Sequence, residues 1–149
     1  MLNRFARSVS VDKLANQTMD EIRSYFLSHM ISTDHVEFLY NNTTYIKLRV
    51  LICFELVLYA RDNYSRTGSM MDPGLTRLLE GLGGFAVDFT NLMALCTKSK
   101  INWTPGRTFQ KEFNCLYHTH LYSAECDVAI APRNQFAATK IREAFCCVQ

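Results

Sequence analysis

Apolar residues along this chain recur mostly every third or fourth position rather than at every second, a spacing that predicts helices. In "TMDEIRSYFLSHM", Thr18 and Glu21 have the spacing of a capping box that would open a helix, and Met19, Ile22, Phe26 and Met30 fall on one face. A short segment, "DHVEFLY", follows it. After the break "NNTT", the run "YIKLRVLICFELVLYARDN" sets Ile46, Val50, Cys53, Phe54, Val57 and Leu58 on a broad apolar face. Its first half alternates like a strand, but about 18 residues without a turn signal exceed an ordinary strand, so a helix is expected. "RTGSMMDPG" reads as the flexible segment, ending with Asp72 as N-cap and Pro73 at the first helical position of a short helix through Leu75, Leu78, Leu79 and Leu82.

The next element is the most apolar. From about Gly84 to Thr97, Phe85, Phe89, Leu92, Met93 and Cys96 line one face and Ala86, Val87, Ala94 and Leu95 the other. A helix apolar all round is expected to be central and surrounded. Thr104 and Pro105 repeat the cap-plus-proline start; Phe109, Phe113, Leu116, Tyr117 and Leu121 form the following face, and Phe136, Ile141, Ala144 and Phe145 line a last helix. The pattern predicts an all-α chain, one domain over residues 1–149, with 1–13 as a flexible lead-in.

Composition narrows the function classes. The 149 residues carry a net charge of +2, are 48% apolar and 20% charged, and scatter their basic residues, so an electrostatic nucleic-acid partner is not expected. No secretory signal and no run of roughly 18 apolar residues is evident, so a soluble intracellular protein with six reduced cysteines is expected, and the sequons at Asn16, Asn41 and Asn42 carry no weight.

"LLEGLGGFAVDFTNLMALC" raises the question of a phosphate loop. A dinucleotide loop needs G-x-G-x-x-G after a strand; here the preceding segment reads as helix, the third glycine is misplaced and no lysine follows for a P-loop. Gly81, Gly83 and Gly84 therefore read as structural, permitting close packing. Cys115, His118, His120 and Cys126 do not converge as zinc ligands, since Cys115 and His118 share a helix turn while His120 points elsewhere. No cofactor, metal or catalytic residue is expected, and an unrelated helical enzyme is the minority alternative. Asp88 stands at the helix edge, is paired with a basic residue such as Arg77, or faces a ligand surface.

The order of elements, with "LTRLLEGLGGFAVDFTNLMALC" and "IAPRNQFAATKIREAF", resembles the Bcl-two family of apoptosis regulators, viral members from large DNA viruses such as iridoviruses or poxviruses in particular. The first stretch looks like the family's first homology motif, although Gly83, Gly84 and Phe85 stand where Asn-Trp-Gly-Arg is usual; the second, with Phe136, looks like the second motif. The resemblance implies a helical bundle whose central apolar helix is wrapped by amphipathic neighbours around a surface groove. It also implies an inhibitor of cell death that holds pro-apoptotic BH-three helices of host proteins in that groove, in the host cytoplasm or at mitochondrial and other intracellular membranes. The expected groove residues are Phe54, Leu58, Tyr59, Leu75, Leu78, Leu79, Leu82, Gly84, Phe85 and Phe89, each of which could equally be ordinary core. The alternative within the fold is a closed groove, with outer-face contacts or a homodimer blocking inflammatory signalling. At the end, "CCVQ" fits prenylation at Cys146 or a frayed helix carrying two incidental cysteines.

Overall fold

The computed structural model describes residues 2–42, 46–70, 72–101 and 104–106, with side chains from Leu14 onward except that of Ile46. These residues form five helices and no strand: α1 (Leu2–Ser28), α2 (Thr33–Asn42), α3 (Ile46–Thr67), α4 (Pro73–Gly81) and α5 (Gly83–Lys98). The all-α expectation thus holds for the described chain. α1 begins at Leu2, so its bounds take in residues 2–13 of the stretch expected as a flexible lead-in. Thr18 lies inside this helix, its hydroxyl donating to the Leu14 carbonyl at 2.9 Å rather than capping a start. The capping-box spacing misled because a mid-helix threonine can satisfy its hydroxyl one turn back. Met30, expected on the buried face, lies beyond the end of α1 and is exposed.

α3 forms the centre. Every residue from Val50 to Glu55 is buried, as are Val57, Leu58 and Ala60, so burial extends around the helix rather than along one stripe. Burying a large aliphatic or aromatic side chain is worth about 1.5–3 kcal/mol, and this stretch is the densest supply of them among the described residues. It packs against α5, α4 packs on α5, and α2 touches both α3 and α4.

α5 was expected to be the surrounded helix, and the structure assigns it a single buried stripe instead: Phe85, Asp88, Phe89, Leu92 and Cys96. The opposite face carries Val87, Asn91 and Ala94, with Val87 60% exposed. Alanine is apolar in a count yet costs little at a surface, whereas the α3 positions are filled by branched and aromatic side chains that must be covered. α4 starts as expected: Asp72 accepts from the Leu75 amide at 2.8 Å and Pro73 occupies the first turn. The α4 and α5 axes then bend by 115° at Leu82.

No single described helix is long and apolar enough to cross a membrane; α4 and α5 together reach that composition only as this bent pair. Pro105 and Gly106 form a turn; the helix expected after them and the last helix through Phe136 lie outside the described residues.

Candidate functional site

Two features among the described residues stand out as candidates, a cleft and a part-buried polar cluster. The first is a cleft of about 430 Å³, within the ~300–1,000 Å³ typical of ligand sites. One wall is the end of α1 and the α1–α2 corner, from Phe26 to Thr33, with Val36 of α2. The other is built by Glu55, Leu56 and Tyr59 of α3 and Asp72, Leu75 and Leu78 around α4, and Pro105 and Gly106 close one end. Its mouth is apolar: Leu27 is 57% exposed and Met30 78%. Glu55, buried in the middle of α3, accepts the Gly106 amide at 2.6 Å, and the Arg61 guanidinium donates to the Ile101 carbonyl. These two α3 side chains pin the segment after α5 against the bundle, and the positive φ of Gly106, 79°, suits a glycine at that turn.

The second feature is a polar cluster between α2, α3 and α5. Asp88 Oδ2 accepts from the Tyr40 hydroxyl at 2.8 Å and from Arg49 Nη2 at 3.2 Å. The guanidinium also lies 4.3 Å from the centre of the Tyr40 ring, a cation–π arrangement. Burial foremost, then the charge of Cys53 and the bond to Asp88, push the Tyr40 phenol far above its ordinary range. Burial likewise pushes the Cys53 thiol strongly up, and the Cys96 thiol up to about 11. Neither cysteine is a candidate nucleophile in this setting, since only the thiolate attacks.

Asp88 is therefore partnered, as one of the three readings required, but by Arg49 and not Arg77. Arg77 points to solvent toward α2, donating to Thr33 Oγ1 at 3.0 Å and pairing with Glu37 at 3.2 Å. Of the three glycines, Gly81 and Gly83 have open space where a Cβ would stand, and only Gly84 is closely approached, with Arg49 Nη2 3.2 Å from that point. Close packing is thus required at one position, not three. The segment before the glycines is α4, a helix, which is what the argument against a phosphate loop required.

The expected groove residues divide. Tyr59, Leu75 and Leu78 line the cleft. Phe54 and Phe85 are fully buried and Phe89 nearly so, in the core with Leu58; Leu79 and Leu82 are partly buried against that core, and Gly84 is at the surface beside Arg49. Leu58 also borders a second, more polar concavity with Arg61 and Asp62. The corner residues Leu27, Met30 and Ile31 and the α3 residues Glu55 and Leu56 were missed. Three apolar residues around the end of α1, Leu27, Met30 and Ile31, were the available signal. Cys115, His118, His120, Cys126 and Cys146 lie outside the described residues, and no group of three metal-ligating side chains occurs among the described ones.

The described residues define a helical protein with an apolar cleft. No family model, curated protein or solved structure matches the chain.

Proposed function

We propose that this protein is a Bcl-two-like regulator of viral type that sequesters the amphipathic BH-three helix of a pro-apoptotic host protein. The observation that supports this reading is the cleft between the α1–α2 corner and α3–α4, with Leu56, Tyr59, Leu75 and Leu78 inside and Leu27 and Met30 at the mouth. An amphipathic helix presents apolar anchors at positions i, i+3 or i+4, and i+7, and an apolar trough is what such anchors need. Fluorescent BH-three peptides titrated against the purified protein test it. At least one is expected to bind at micromolar Kd or tighter, and Met30→Glu, an exposed position whose change leaves the core intact, weakens it about tenfold or more. Absence of binding by the whole panel to folded protein refutes the reading.

One observation favours the closed-groove alternative: Phe54 and Phe85, which the resemblance assigns to the groove, are fully buried. Under that reading the outer faces, where Phe38 is 71% exposed, carry the partner or a second copy. Sedimentation of the protein alone separates the two, since a dimer that forms without peptide supports the alternative.

A further inference from the structure

The cleft wall at the α1–α2 corner is held by side-chain bonds of two histidines, and their roles are opposite. Ser32 stands at the start of α2, and it and His35 are reciprocally bonded: the His35 amide donates to Ser32 Oγ at 3.3 Å, and the Ser32 amide donates to His35 Nδ1 at 3.1 Å. This is a capping box with an imidazole in the place usually taken by Glu or Gln. The bond exists only while Nδ1 carries a lone pair, with the ring proton on Nε2. The first backbone bond of this turn, Val36 N–H to the Ser32 carbonyl, is long at 3.4 Å, so the side-chain pair carries much of the restraint.

His29, at the other side of the corner, has Nδ1 2.9 Å from the Tyr25 carbonyl and 3.0 Å from Ser28 Oγ; with its proton on Nδ1 the ring donates to the carbonyl. A protonated ring makes the same bond, and its charge would suit the carbonyl end of α1. The ring also stacks on Tyr25 at 4.0 Å, where a cation is attracted to the aromatic face. Tyr25 and Phe26 place their ring edges against His35 at 6.3 and 5.5 Å. The charged groups around the corner are Asp34 and Glu37 on α2, both paired with Arg77 of α4, and Glu55 of α3 and Asp72 before α4, which line the same cleft.

We infer that the α1–α2 corner is a proton-sensitive hinge: a proton on His35 breaks the start of α2 while one on His29 leaves the end of α1 intact, so that acidification loosens one wall of the cleft. Imidazoles as a class change charge between pH 5 and 8. Protonated His35 turns its acceptor into a donor facing the Ser32 amide and puts a cation at the positive end of α2, and both changes disfavour the capped corner. The Ser32 amide can donate only to a bare Nδ1, so the restraint belongs to the neutral ring and is lost when that nitrogen takes a proton. Its consequence for peptide binding rests on the function proposed above; the hinge itself does not.

The test is amide hydrogen exchange, normalised to each amide's intrinsic rate, at pH 7.5 and 5.5. In the unaltered protein, protection of the first-turn amides of α2 is expected to fall roughly fivefold, the equivalent of one lost cap, while α5 is unchanged. His35→Gln keeps the acceptor without a titrating ring, so its α2 protection stays constant with pH, and His29→Gln retains the fall. No change in the unaltered protein, or an equal fall in His35→Gln, overturns the hinge. In parallel, BH-three peptide affinity is expected to drop with acid in the unaltered protein and not in His35→Gln. If the exchange pattern appears and no peptide binds at either pH, the hinge stands and the proposed function falls.

Discussion

Replacing Arg49 with methionine isolates the polar cluster between α2, α3 and α5. The substitution keeps the apolar stem and removes the charge, leaving Asp88, its side chain 10% exposed, with the Tyr40 hydroxyl as its donor among the bonds described here. Removing one partner of a fully buried pair costs about 3–5 kcal/mol, whereas exposed pairs are worth about 0–1 kcal/mol. The Arg49 side chain is 25% exposed, and its Nε has no hydrogen-bond partner among the described residues, so the cost lies between those limits. The stacking on Tyr40 adds about 0.5–1 kcal/mol that is also lost, for an expected total of about 2–3 kcal/mol. Asp88→Leu is cheaper, about 1 kcal/mol, because the freed guanidinium can turn to water and chiefly the Tyr40 hydroxyl loses its bond. The double substitution removes both charges and is expected to cost less than Arg49→Met alone. Urea unfolding of the four proteins gives the cycle. Additive costs, or an Arg49→Met cost below about 0.5 kcal/mol, would refute the claim that Arg49 neutralises a buried carboxylate.

Burial makes a sharp contrast between two aromatic positions and one aliphatic: Phe54→Ala and Phe85→Ala each cost about 3–5 kcal/mol in thermal or urea unfolding, and Val87→Ala costs under about 0.5 kcal/mol. Asp72→Ala removes the α4 cap and costs about 1 kcal/mol, while Thr18→Ala, inside α1, costs nothing measurable or slightly stabilises, and circular dichroism melts compare the two. Cys96 is expected to resist an alkylating reagent at pH 8 until urea unfolds the chain, read by mass mapping of its peptide. Its folded thiol stays protonated to about pH 11 while the unfolded one ionises near its ordinary value, so stability present below pH ~9 declines as pH rises from there toward 11.

The sequence alone determined the local features, because helix periodicity, caps and proline positions act within a few residues. The α4 start at Asp72 and Pro73 and the bounds of α5 could be read directly: both depend on backbone groups one turn away. That α3 is a helix was likewise legible from its length and stripe. Which helix lies at the centre was not, because burial belongs to pairs of distant segments; α5 has the more uniform apolar pattern, yet α3 carries the side chains that need covering. The partner of Asp88 was similarly open. Any of 16 basic residues could have served, and only the packing of α3 on α5 brought Arg49, 39 positions away, to its carboxylate. The cleft was decided at the same level. Its walls come from the α1–α2 corner, α3 and α4, and Leu27 and Met30 line it because the chain turns after Ser28, so their exposed apolar surface is a consequence of the turn and not of any pattern along the helix.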